Sequence, residues 1–186
     1  LMREFDTQHT GKTVEHGMLH GVEVLVFDLQ DVGTRVYTYV ATMAYAMRAA
    51  AEAGIPFVVL DRPNPIGGVA MEGPILEYPQ HSSFIGLYPV PLRHGMTAGE
   101  LAQLFNAKFL TQPVALTVVA MEGWSPDAAP GFGWPEDRIW VNPSPNAPNL
   151  NMARAYAGTV MLEGTTLSEG RGTTRPLELF GAPDID

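Results

Sequence analysis

No cysteine occurs in the chain, which excludes a disulfide framework and thiolate chemistry and leaves the redox compartment open. Cations are scarce. The 11 Lys and Arg residues stand against 20 Asp and Glu for a formal net charge of -9, a balance that argues against nucleic acid or an anionic membrane as the main partner. A neutral or cationic ligand suits it better. No apolar run reaches the roughly 18 residues that a membrane span requires, and no signal peptide is present. The chain opens on Leu1 in place of an initiator Met, so a longer parent is expected and the missing signal decides nothing about location. Among named motifs, G-x-S-x-G, G-x-x-x-x-G-K-[ST] and H-E-x-x-H are all absent, which removes sequence support for acyl transfer, nucleotide phosphate binding and zinc proteolysis. Gly-x-Gly spacing after the first strand is missing too, so no dinucleotide or other cofactor is expected.

What is present centres on Val22 to Tyr39, VEVLVFDLQDVGTRVYTY. Val22 to Phe27 is an apolar, β-branched run broken only by Glu23, the pattern of a strand buried on both faces of a parallel sheet. Asp28, Gln30, Asp31, Arg35, Tyr37 and Tyr39 then gather around Gly33, after the strand and before a helix. Ligands of open α/β sheets sit outside the carboxyl ends of the strands, so a site is expected there. The bland alternative is that Asp28 and Asp31 cap the next helix or close a turn.

The rest of the chain repeats the strand-loop-helix order. Leu1 to His20 is polar; His9, His16 and His20 lie in it without a carboxylate or cysteine in register, so a solvated lead-in is expected and no metal. Thr38 to Ala53 predicts a helix that Gly54 stops. Pro56 to Leu60 predicts a second buried strand, completing a β-α-β unit with a right-handed crossover. Asp61, Arg62 and Asn64 follow it in a loop fixed by Pro63 and Pro65. Val69 to Pro91 shows no period, and its prolines forbid long elements, so a binding loop or lid is expected, closed by Arg93 and His94. Thr97 and Glu100 have capping-box spacing ahead of a helix with Leu101, Leu104 and Phe105 on its buried stripe. Val114 to Ala120 predicts a third buried strand. Trp124, Trp134 and Trp140 then lie among six prolines with Asn142 and Asn146, either a sugar-binding wall of aromatic faces and amides or aromatics packed under a long loop. Asn149 to Ala157 reads as a helix. Ser168, Glu169, Arg171, Thr173 and Arg175 occupy a polar, glycine-containing segment that must be held by a ligand or by neighbouring backbone. Carboxylates, arginines, tyrosines and amides on loops at one sheet edge suit glycoside chemistry, which requires no cofactor.

These blocks also carry a family resemblance. FDLQDVGTRVYTY, LDRPNPIGG, PVPLRHGMTAGELA, NPSPNAP and LEGTTLSEGRGTTRPLELFGAP, collinear from about Val14 to Pro183, resemble the NamZ-type exo-β-N-acetylmuramidases, long catalogued as a domain of unknown function. The resemblance implies a bacterial, typically exported, extracytoplasmic glycosidase that removes N-acetylmuramic acid from the non-reducing end of peptidoglycan fragments. Its partner would be a peptidoglycan-derived muropeptide or disaccharide. It also implies a Rossmann-like α/β layered domain with a mostly parallel sheet and a smaller C-terminal domain, with the active site in the cleft between. Against that pattern, residues 1–186 are expected to form a partial Rossmann-like domain: lead-in 1–20, β-α-β core 21–120, and a loop-rich segment 121–186 leading to a missing C-terminal domain. The family glutamate of an upstream Pro-Glu-His-Gly element is not matched by Glu15-His16-Gly17, which aligns elsewhere, and Asp184 stands where the family tends to have an aromatic residue. The expected catalytic carboxylates are Asp28, Asp31 and Glu169, with Arg35, Arg62 and Arg171 as their ion-pair partners. Gln30, Arg35, Tyr37, Tyr39, Asp61, Arg62, Asn64, Arg93, His94, Asn142, Asn146, Ser168, Arg171 and Thr173 are expected to bind substrate; Arg171, Arg62 and Arg93 are candidate readers of its lactyl carboxylate. A non-catalytic sugar-binding or scaffold α/β domain is the competing reading.

Overall fold

The computed structural model describes residues 16–127, 134, 137–183 and 185. The expectations that rest on His9, Glu15 and Asp184 lie outside these residues.

The fold is mixed α/β. Strands β1 (Leu25–Phe27), β2 (Phe57–Leu60) and β5 (Leu116–Val119) form a parallel sheet in the order β1-β2-β5. Leu25, Phe57 and Leu116 stand side by side across it, as do Phe27, Val59 and Val118. Helix α1 (Tyr39–Ala53) joins β1 to β2. Its sequence contains neither proline nor an internal glycine, and it stops where Gly54 enters the left-handed region at φ 68° and its N–H returns to Ala50 and Ala51 carbonyls, the usual use of glycine at a helix end. Helix α2 (Ala98–Lys108) starts on the expected capping box: Thr97 accepts from Glu100 N–H, and the Glu100 carboxylate accepts from Thr97 N–H.

Both helices pack on one face of the sheet. Met43 and Met47 of α1, Leu101 and Phe105 of α2, and Phe27, Phe57 and Val59 of the strands make the larger core. The other face departs from the expectation of strands buried on both sides, since Val26 is 55% exposed and Val24, Leu60 and Val119 also face solvent. Strand side chains alternate between faces, so a sheet with helices on only one side leaves every second residue uncovered. Strand β1 is three residues long and not the six of Val22 to Phe27, because only Leu25–Phe27 find partners in β2.

The segment expected to lack regular structure holds a two-stranded antiparallel sheet, β3 (Glu72–Ile75) with β4 (Pro91–Arg93). Pro74 is tolerated because β3 is an exposed, irregular edge with a register shift. Helix α3 (Leu150–Thr159) begins where the Asn149 side chain accepts from Met152 N–H, and a 3-10 turn, Val160–Gly164, continues it. Met152, Ala153 and Tyr156 of α3 meet Val32, Ile66, Ala147 and Leu177 in a second core. This core lies on the loop that follows β1, so α3 and the polar segment after it are brought to the carboxyl end of the sheet.

Candidate functional site

Gly33 decides how the loop after β1 folds. It sits at φ 81°, and a Cβ there would lie 2.4 Å from both Asn64 Oδ1 and Ile66 Cγ1, so only glycine lets the loops after β1 and β2 touch. Asp31 braces this turn: its Oδ2 accepts from Gly33 N–H at 2.7 Å, an Asx turn. The turn reading therefore holds for one oxygen. The other, Oδ1, is buried and has no hydrogen-bond partner among the described residues. His94, fully buried at the end of β4, places Nε2 3.2 Å from Asp31 Oδ2. Its Nδ1 accepts from Met96 N–H at 3.2 Å, which puts the ring proton on Nε2 and makes the contact imidazole to carboxylate, not an ion pair. His94 thus stands behind Asp31, with no surface of its own to offer a substrate.

Aromatic rings lie beside Asp31. The Tyr37 ring lies 4.9 Å from Tyr39, tilted by 59°, and edge-on at 6.2 Å from Tyr156. Tyr39 donates its hydroxyl to Pro143 carbonyl. Burial, with Tyr39 and Asp31 adding to it, raises the Tyr37 hydroxyl well above its ordinary value; Ser144 opposes the rise. Ser144 and Tyr39 are near enough to act on that hydroxyl but make no well-formed hydrogen bond with it. Burial, then the charges of Glu163 and Asp31, pushes the Tyr156 hydroxyl up to about 12, with Arg171 opposing. Tyr37 thus meets Tyr156 edge-on, and Arg171 pairs with the Glu163 whose charge acts on the Tyr156 hydroxyl.

The polar segment after α3 is held by its own backbone. Ser168 and Gly181 exchange both main-chain hydrogen bonds, and Leu177 N–H donates to Glu169 carbonyl. Arg171 is clamped between Glu163 Oε1 (2.7 Å) and Glu169 Oε1 (2.5 Å), so it does not tie the tail to Asp28 or Asp31. Ser168 Oγ accepts from Gly170 N–H, and Thr173 Oγ1 donates to Gly170 carbonyl. Both side chains serve the turn while bounding an open, largely apolar hollow of about 370 Å³ with Leu179 and Phe180.

Several expected ligand contacts are internal braces. Arg35 donates Nη1 to the Pro74 and Val90 carbonyls at 2.8 and 2.6 Å; among the described residues it meets no carboxylate, because Gly33 turns the chain toward β4 and not back to Asp28. Burial lowers its pKa. Gln30 bonds the Asp31 and Pro63 carbonyls. Asp61 is occupied by the start of α2, accepting from Gly99 N–H, Thr97 Oγ1 and Arg62 N–H. Asn64 spans Met96 carbonyl and Ile66 N–H. Of the expected arginine pairs to the first loop, only Arg62 to Asp28 forms, Nε and Nη2 reaching Oδ1 at 2.8 and 2.6 Å on the surface. Trp134 and Trp140 pack ring to ring at 5.1 Å and donate to the Arg138 and Ala147 carbonyls, which favours packing under the loop over a sugar wall. Asn142 is exposed and Asn146 half-buried in that loop. Arg93 pairs with Glu72 at 2.5 Å and also reaches Ile66 carbonyl. It lines a separate cavity of about 310 Å³ between the β3–β4 sheet and Arg154, Ala157 and Gly158 of α3.

Tyr156, Glu163 and Ser144 are neighbours of the site that sequence reasoning did not single out. Tyr156 shares the helical stripe of Met152 and Ala153, which reads as core; Glu163 lies in the LEGTT block, where nothing in the spacing assigns it a partner.

Comparison with known proteins follows the same line. The family model described as "Exo-beta-N-acetylmuramidase NamZ, N-terminal" matches residues 5–151, and its C-terminal counterpart matches residues 154–186. The peptidoglycan beta-N-acetylmuramidase NamZ of Bacillus subtilis (strain 168) is 57% identical over 169 residues, 90% of this chain and 39% of the relative. Crystal structures of two DUF1343 family proteins from Bacteroides fragilis NCTC 9343 are similar with TM-scores of 0.83 and 0.78 at 35% and 36% identity, covering 94% of this chain and 48% and 45% of theirs. The chain spans less than half the length of these relatives.

Proposed function

Because the chain belongs to the NamZ exo-β-N-acetylmuramidase family, we propose that it serves the hydrolytic removal of N-acetylmuramic acid from the non-reducing end of peptidoglycan fragments. The observation that carries this reading is Asp31. It is a buried carboxylate at the carboxyl end of a parallel sheet, oriented by Gly33 N–H and His94 through Oδ2, with Oδ1 left over. Glycoside hydrolysis requires a carboxyl group that holds or moves a proton beside the scissile bond, and the oxygen without a partner is the one available for it. Tyr37 and Tyr39 next to it are half-buried and supply the flat apolar surface against which sugar C–H faces stack. Glu169, 17% exposed and ion-paired to Arg171, is the second carboxylate of the site. Asp28, paired to Arg62 in solvent, takes a rim position in this reading, not a catalytic one.

The reading is tested by exchanging the matching segment of the Bacillus subtilis relative for residues 16–183 of this chain and assaying a chromogenic β-N-acetylmuraminide. We expect turnover that is lost on Asp31→Asn. A folded exchange protein that binds the sugar without hydrolysing it would instead support a non-catalytic sugar-binding domain.

A further inference from the structure

We infer that His94 is a positioning residue that fixes the orientation of Asp31, rather than a group that touches the sugar; the inference rests on the muramidase reading of Asp31. Three observations carry it. First, the imidazole is fully buried, so it has no route to a ligand except through a neighbour. Second, its tautomer is dictated by the backbone: Met96 N–H points at Nδ1, and a nitrogen that accepts cannot carry a proton, so the single ring proton is on Nε2. Third, that Nε2 faces Asp31 Oδ2 at 3.2 Å, yet the N–H is off the line of a well-formed hydrogen bond. Contacts of this length and misalignment are common in catalytic pairs and tighten in the productive complex.

The arrangement divides the two oxygens of Asp31 between tasks. Oδ2 accepts from Gly33 N–H of its own loop and is faced at 3.2 Å by the Nε2 of His94, the residue after β4. Oδ1 is buried and has no partner among the described residues, so it is the oxygen that the muramidase reading assigns to the substrate; the Tyr37 and Tyr156 hydroxyls both sense the charge of Asp31. With one hydrogen bond on Oδ2 and a buried imidazole packed against the same oxygen, rotation of the carboxylate is opposed from two sides. The two neighbouring side chains part at the end of β4: Arg93 turns to Glu72 and Ile66, and His94, the next residue, turns to Asp31.

Two substitutions separate the functions of the two ring nitrogens. His94→Gln places an amide N–H near the position of Nε2 and gives up the acceptor for Met96; His94→Asn places an amide oxygen near the position of Nδ1 and gives up the donor to Asp31. Positioning predicts kcat within about threefold of wild type for His94→Gln and about 10- to 100-fold lower for His94→Asn, the range seen when a partner behind a functional ligand is removed, with KM unchanged and similar losses in Tm for both. Loss of kcat in step with Tm for both variants would mean that His94 is only a packing residue and would overturn the inference. A second arm requires no substrate. Nitrogen-15 NMR of the histidine-labelled chain, with the His94 signal identified by its disappearance in His94→Gln, should show the Nε2–H tautomer and a change in that signal on Asp31→Asn. An Nδ1–H tautomer, or a signal indifferent to Asp31→Asn, would overturn it. Because this arm is independent of turnover, failure of the muramidase reading and failure of the positioning role are distinguishable.

Discussion

The Nε of Arg171 stands 2.5 Å from Glu169 Oε1, while the same guanidinium reaches Glu163 on its other side. An arginine shared by two carboxylates of its own chain is poorly placed to read a third on the substrate, so its task here is to hold Glu169. Arg171→Ala should lower the specificity constant by about tenfold or more, about 1.4 kcal/mol, and equally for a muraminide and a glucosaminide. The stability cost should stay near 1 kcal/mol or below, because the pair is partly solvated. Measuring both sugars decides it: a loss confined to muraminides would show that Arg171 reads the lactyl carboxylate.

Arg35 makes a different prediction from the one its sequence neighbourhood suggests. Its bonds run to two carbonyls, Pro74 within β3 and Val90 just before β4. Lys retains the charge but not the geometry that spans both acceptors. Arg35→Lys should cost about 1–2 kcal/mol in denaturant unfolding and leave kcat unchanged; a large fall in kcat at unchanged stability would place Arg35 on the substrate.

Gly33→Ala combines a backbone strained at φ 81° with a Cβ thrust against Asn64 and Ile66. The left-handed backbone and the overpacking together should destabilise the protein by about 2–4 kcal/mol. Because Gly33 N–H also holds Asp31, activity should fall more than stability predicts. Equal stability of the variant and wild type in urea would contradict the packing of the two loops.

Alkaline stability reports on the aromatic neighbourhood. Tyr156 is held protonated in the fold, its hydroxyl raised from 10 to about 12 mainly by burial and next by Glu163. A raised folded value means stability that is complete below pH 10 and is lost as pH rises from 10 through 12. For Tyr156 this amounts to about 2–3 kcal/mol. Urea midpoints measured across that window should fall with pH in wild type and fall less in Tyr156→Phe. Parallel slopes would show that the hydroxyl is not buried.

The elements that repeat a local rule were legible in the sequence: α1 with its Gly54 stop, the Thr97–Glu100 cap, and β2 between a glycine-ended helix and a proline loop. The exposed face of the sheet was not, because Val24 and Val26 have the same side chains whether or not a helix covers them. The polar clusters marked where candidate residues gather but not how they pair: Arg35, Asp61 and Asn64 serve carbonyls and amide groups, and no spacing rule separates an arginine that meets a carboxylate from one that braces two strands. His94 was visible only as a polar residue closing a loop, since its contact with Asp31 spans 63 positions and depends on the loop after β1 pairing with the end of β4 through Thr34 and Arg93.

The central claim is that Asp31 works in a muramidase site acting at the non-reducing end of its substrate. The most direct measurement is mass-spectrometric analysis of the sugars released from a peptidoglycan disaccharide carrying N-acetylmuramic acid at that end, with the exchange protein containing residues 16–183 and its Asp31→Asn variant. The account predicts that free N-acetylmuramic acid accumulates with the unmodified segment and falls by at least about 100-fold with the variant, the scale of removing a group that transfers a proton. Undiminished release by a folded Asp31→Asn protein would contradict it.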